Sequence, residues 1–195
     1  MQVTFPKSFA ALVAAVALVA AVPATAANIV ANGSFETGDL TGWSGTVLSD
    51  PFSGVYCPGA GFAPSGSCEA FLGSSGTVDT LSQILSTVAG QSYAISFALL
   101  PDGSAPSSFS VSFGSQLLYS VTNPALAASA QTFTFFASAL TSSTALTFHV
   151  ENDPGYFVLD AVSAAPVPEP ETYALTALGL IGLTARRKWQ QRRKS

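Results

Sequence analysis

Residues 8–185 contain no lysine and no arginine. The chain has seven such residues: Lys7 near the start, and Arg186, Arg187, Lys188, Arg192, Arg193 and Lys194 at the end. A central region without cations cannot neutralise phosphates, which excludes nucleic acid as a partner. Histidine is equally scarce, so His149 is the one side chain able to act as a neutral-pH imidazole base. Two cysteines and one distant histidine are too few for a zinc site. There is no G-x-S-x-G, phosphate-binding loop or dinucleotide fingerprint, and no repeat of fixed length. The two long apolar runs, 10–22 and 173–185, have 13 residues each. At 1.5 Å per residue a helix of that length reaches about 20 Å, short of the ~30 Å needed for a permanent membrane span.

What is present explains the charge layout. A basic start, the 10–22 run and the small residues Ala24 and Ala26 form a secretory signal peptide, residues 1–26, cut after Ala26. The cleavage-site chemistry disfavours a buried first helix. At the other end, Pro168, Glu169 and Pro170 precede the second apolar run, and the cluster Arg186, Arg187, Lys188 follows it. Basic residues beside an apolar segment stay on the cytoplasmic side while the preceding domain is exported. The proline triplet cannot extend a strand or helix, so it leaves an extended peptide open to a protease. The order of triplet, apolar run and basic end in residues 166–195 resembles the PEP-CTERM sorting signal of bacterial envelope proteins; an ordinary tail anchor is the alternative. The resemblance implies an exosortase-type processing enzyme as partner and transient anchoring in the inner membrane.

Residues 27–165 are the working domain, long enough for one hydrophobic core. Residues 27–167 hold nine of the eleven acidic residues and have a charge near −9. Alternation is clear in "SYAISFALL", which puts Tyr93, Ile95, Phe97 and Leu99 on one face. "SSFSVSF" does the same with Phe109, Val111 and Phe113, and "ALTFHVE" with Leu146, Phe148 and Val150. Further strands are expected at 45–48, 69–72, 80–88, 116–121, 131–136 and 156–162, separated by turn signals such as "PDGSAP" and "NDPG". The fold class is all-β: an antiparallel jelly-roll sandwich of eight or nine strands.

The stretches "NIVANGSFETGDLTGW" and "NDPGYFVLDAVS" resemble the galactose-binding-like sandwich, a fold related to carbohydrate-binding modules. The resemblance implies that first and last strands lie together and that Glu36 and Asp160 contribute to a structural Ca²⁺ site. Relatives carry a second acid where this chain has Ala161. Asp160 stands independently as an anomaly: strict alternation puts Val158 and Val162 on its own face, and no cation exists to pair with it. Backbone N–H groups, an edge-strand position in solvent, or a hard oxygen-ligated ion would each resolve it. Cys57 and Cys68 flank "PGAGFAPSG", and in an exported domain they are expected to form one disulfide.

Catalysis has little support. Glu151 and Asp153, a conceivable glycosidase pair, sit in or beside a turn that favours such residues anyway. Trp43, Tyr56, Phe62, Tyr119 and Tyr156 are candidate sugar-stacking platforms, although Trp43 is packed inside in resembling domains. The reading is a non-enzymatic envelope or extracellular-matrix protein associated with exopolysaccharide, with a dedicated carbohydrate-binding module as the rival and a secreted glycan hydrolase third.

Overall fold

The computed structural model describes residues 26–61, 63–74, 76–168 and 177–182. Residues 1–25 of the expected signal peptide, Phe62, and Glu169, Pro170, Arg186, Arg187 and Lys188 of the tail lie outside the described residues. The strands are β1 (Ser53–Tyr56), β2 (Glu69–Leu72), β3 (Asp79–Ser86), β4 (Ser92–Pro101), β5 (Ser107–Phe113), β6 (Gln116–Thr122), β7 (Gln131–Ser138), β8 (Ser143–Asn152) and β9 (Phe157–Pro166). They form two antiparallel sheets, β1-β2-β9-β4-β7 and β3-β8-β5-β6. Setting β1 aside, the remaining eight interleave as two Greek keys do, so the domain is a jelly roll.

The period-two pattern sets the layers. Tyr93, Ile95, Phe97 and Leu99 of β4, Phe109, Val111 and Phe113 of β5, and Leu146, Phe148 and Val150 of β8 are all buried between the sheets. Phe97 is central: the rings of Phe109, Tyr119, Phe133, Phe135 and Phe148 lie 5.6–6.2 Å from its own. Full burial of one such side chain stabilises by roughly 1.5–3 kcal/mol.

Three local features depart from strict alternation. Residues expected as a strand at 45–48 instead form a 3₁₀ turn, Thr46–Ser49. Gly45 enters it with φ 123°, and any Cβ there would overlap the Thr80 carbonyl, so the chain turns against β3. Strand β1 is too short, and too interrupted by Gly54, to show a period in the sequence. In β9, Ser163 pairs with Ser96 but Asp160 with Ala98, so β9 carries one extra residue. Ala161 takes φ 50° there. This bulge reverses the phase: Val162 turns into the core while Asp160 keeps the outer face with Val158.

The bulge also marks a change of neighbour along one edge of β9. Before it, residues 157–159 pair with β2. After it, the segment that opens the domain takes over: Ile29 N–H donates to the Ala164 carbonyl at 2.9 Å, Ala164 N–H to Asn28 Oδ1 at 2.9 Å, and Val162 N–H to the Gly33 carbonyl at 2.8 Å. Residues 177–182 are helical, and among the described residues no helix is long and apolar enough to cross a membrane.

A Cβ at Gly33 would overlap the Val162 carbonyl. Gly33→Ala is therefore expected to lower unfolding free energy by about 2 kcal/mol, read from urea midpoints. An unchanged midpoint would show that the opening segment does not bear on the last strand.

Candidate functional site

Strands β1 and β2 form a hairpin whose final rung pairs Tyr56 with Glu69. Cys57 and Cys68, the next residues outward, are joined by a disulfide. The bond fixes the base of a ten-residue loop, which also pairs internally through Gly59 N–H and the Ser67 carbonyl, 3.1 Å. No cysteine among the described residues is free.

The loop turns its amides toward two carboxylates. Ser65 N–H donates to Asp160 Oδ2. Ser67 and Cys68 N–H both donate to Glu36 Oε1, at 2.8 and 2.9 Å. Ala161 N–H closes on Asp160 Oδ1 at 2.6 Å, a contact made possible by the bulge. A Cβ on Gly66 would overlap the Glu36 carboxylate, so the loop approaches this closely only because that residue is glycine. Asp160 thus has no exposure at all, although it faces outward from the sheet. The amides of one loop bind both Glu36 and Asp160, and Glu69 acts on Asp160 from nearby. The signal for Glu69 was its position across the hairpin from Tyr56, which only the register reveals.

Burial drives the Asp160 carboxyl up to about 6, against the pull of the Ala161 and Ser65 amides. The negative charges of Glu69 and Glu36 push it the same way. Glu36 is held below its ordinary value by the Ser67 and Cys68 amides, and Glu69 is raised by partial burial. Glu36 Oε2 accepts no hydrogen bond within the described residues, and the loop amides supply part of the positive potential that a cation would bring to Asp160 and Glu36. Among the described residues, no three His, Cys, Asp or Glu side chains are grouped to hold a metal.

On the same outer face lies an aromatic shelf. Phe71 and Gly54 are directly paired, and a Cβ on Gly54 would come within 3.0 Å of the Phe71 ring. The glycine lets the ring lie over the strand. Tyr156, 50% exposed, meets Phe71 edge-on at 6.4 Å, and Tyr56, 59% exposed, stands one inter-residue step along the face beside Glu69. Gly54 also lines an open depression of about 550 Å³ shared with Asp39, Thr41, Leu48 and Ser53.

The other candidates fall elsewhere. Trp43 is buried, stacks on Phe35 at 5.8 Å and donates its indole N–H to the Asn32 carbonyl. Tyr119 packs against Phe133 at 4.8 Å. His149 faces outward between Thr80 and Ser110 and makes no side-chain hydrogen bond within the described residues. Glu151 Oε2 accepts from the Ser108 hydroxyl at 3.4 Å, and Asp153 is an exposed turn residue.

The tail leaves from the opposite end of β9. Val167 N–H donates to the Ser92 carbonyl at 2.7 Å, and the Gln91 amide donates to the Val167 carbonyl at 2.6 Å. The next residue, Pro168, is exposed. The proline triplet therefore begins where the domain's last anchoring bonds stop.

The raised Asp160 value gives the folded chain more bound protons than the unfolded chain between ordinary aspartate pH and about 6. Stability is expected to fall as pH rises through that window, and Asp160→Asn to flatten the slope. Melting temperature measured from pH 4 to 7 checks both; a slope unaltered in the variant would assign it to another group.

Comparison with solved structures places the fold. TmCBM61, determined in complex with β-1,4-galactotriose, matches with a TM-score of 0.52 and 21% identity over 72% of this chain and 99% of its own. A cyclase from Fischerella sp. TAU matches with a TM-score of 0.55 and 17% identity, covering 74% of this chain and 98% of its own. The enzymatically active domain of bacteriophage CBA120 tailspike protein 4 matches with a TM-score of 0.54 and 14% identity. That match covers 72% of this chain, which spans only 21% of the tailspike chain. These likenesses establish a β-sandwich shared by carbohydrate-binding modules and enzymes. No curated protein matches the chain in sequence. Residues 166–188 match the PEP-CTERM protein-sorting motif, which indicates export and sorting to the cell envelope, and the domain ahead of it is a jelly-roll β-sandwich whose fold is similar to that of TmCBM61.

Proposed function

We infer that the domain is a non-enzymatic, glycan-associated module, released from transient inner-membrane anchoring by an exosortase-type enzyme that cuts near Pro168, Glu169 and Pro170. The observation that carries the glycan reading is the shelf of Tyr56, Phe71 and Tyr156. The exposed rings of Tyr56 and Tyr156, backed by the half-buried Phe71, suit the apolar faces of pyranoses, and the adjoining Glu69 can accept hydrogen bonds from sugar hydroxyls. The charge of the domain narrows the ligand to neutral glycans, since an anionic polysaccharide would meet only repulsion. Exopolysaccharide of the producing cell is the natural partner for a protein sorted to the envelope. His149 has no bonded serine or carboxylate, and Asp153 stands in a turn; both support a non-catalytic role.

Calcium belongs to this reading as a structural ion at Glu36 and Asp160. Its part would be to neutralise the crowded carboxylates and so fix the disulfide loop beside the shelf. Glu36 and Asp160 would hold the ion, and its role would be structural.

Two measurements test the proposal. Mass spectrometry of the mature protein from its native host is expected to show an N-terminus at Ala27 and a C-terminus near the proline triplet; an intact chain from Met1 to Ser195 would refute export and sorting. A glycan array is expected to show binding to neutral polysaccharides, weakened about tenfold, or ~1.4 kcal/mol, by Tyr156→Ala. Binding indifferent to Tyr156→Ala, Phe71→Ala and Tyr56→Ala alike would remove the shelf from the function.

A further inference from the structure

The inner face of the four-stranded sheet has a polar end. Asp79 opens β3 and Asn152 closes β8, and both point into the sandwich with 7% and 1% exposure. Asp79 stands opposite Val150, and Asn152 is the next inward residue along β8. The two are therefore diagonal neighbours, with Cα atoms about 7–8 Å apart and side chains on the same face.

Neither side chain is satisfied. Asp79 Oδ2 and Asn152 Oδ1 are the buried side-chain atoms without a hydrogen-bond partner among the described residues. The orientation of Asn152 is fixed, because its Nδ2 donates to Asp102 Oδ1 at 3.2 Å, leaving Oδ1 turned away. Its backbone N–H is taken by Ser74 Oγ at 3.0 Å, and its carbonyl accepts from Ser74 N–H at 3.2 Å. A buried acceptor left alone costs about 1–3 kcal/mol, and more when charged. No lysine or arginine exists between residues 8 and 185 to relieve it. Among the described residues, no group donates to either oxygen.

We propose that the Asp79–Asn152 end of the sandwich binds a Ca²⁺ ion, separate from the Glu36–Asp160 loop. Two buried acceptor oxygens on one face of adjacent strands, neither with a donor among the described residues, are available as ligands. Calcium at 2.3–2.6 Å from each spans an O···O separation of roughly 4–5 Å, within reach of diagonal neighbours. A carboxylate, a carboxamide oxygen, carbonyls and water are the ligand classes calcium prefers. A water could bridge the same oxygens, but it would leave the carboxylate's charge uncompensated. The ion would tie the start of β3 to the end of β8 and brace the turn, through Asp102, from which Tyr156 enters the shelf.

The test uses the full chain bearing Asp160→Asn, so that no calcium response arises at the loop. Calorimetric titration with CaCl₂ is expected to show one site with Kd near 10⁻⁴–10⁻³ M, and 5 mM calcium to raise the melting temperature by about 5 °C over EDTA. Adding Asp79→Asn, which preserves shape, should remove both signals while the chain still melts cooperatively in EDTA. Asn152→Ala should weaken calcium binding at least tenfold. No titration in the Asp160→Asn chain, or calcium binding that survives Asp79→Asn, overturns the proposal. So does an Asp79→Asn chain more stable by the same margin in EDTA and in calcium, which would identify an ordered water only.

Discussion

Peptide N–H groups do the work that lysine and arginine do in other folds. With no cation in the domain, every carboxylate that leaves bulk water must find amides or hydroxyls. Asp160 and Glu36 take four amide hydrogens between them, three from one loop. Asp102 is partly buried, yet hydrogen bonds from Ser104, Tyr156 and Asn152 hold it below the ordinary value. Asp39 is served by Thr37 and Thr41, and Asp50 by the Phe52 amide at 2.6 Å. Because amides are fixed to the chain, each such contact specifies a loop conformation as well as a charge environment. Among the described residues, Asp79 Oδ2 is the buried carboxylate oxygen for which this solution is missing.

Much of the sandwich was legible because burial between two sheets imposes a period of two. The faces of β4, β5 and β8 followed directly, and β2 and β5 began and ended where the residues indicated. What escaped was everything set by contact between distant segments. The 3₁₀ turn at Thr46–Ser49 arises from Gly45 meeting Thr80, and the phase reversal at Ala161 arises where β2 gives way to the opening segment. Asp160 could be marked as anomalous from its neighbours. Its burial under a hairpin loop, and the presence of Glu69 beside it, depended on a register that a single strand does not carry.

The disulfide loop and the aromatic shelf are two uses of one hairpin. Its Cys57–Cys68 end reaches over the sheet to cover Asp160, while its paired residues Gly54 and Phe71 form a half-buried surface flanked by the exposed Tyr56 and Tyr156. Restricting a loop of this size lowers the entropy of the unfolded chain by the equivalent of about 3 kcal/mol. The fold itself is compatible with binding and with catalysis, as its structural neighbours include both, so the chemistry rests on these particular side chains.

Strand β9 lies between β2 and β4 and also receives the opening segment, yet it is the last strand made. Until it has emerged, the five-stranded sheet lacks an interior member and the core stays open. A chain emerging N-terminus first would thus lack a closed core until its last strand was present. Closure of the sandwich waits on the residues immediately before the proline triplet, so the domain becomes compact only when nearly all of it is available.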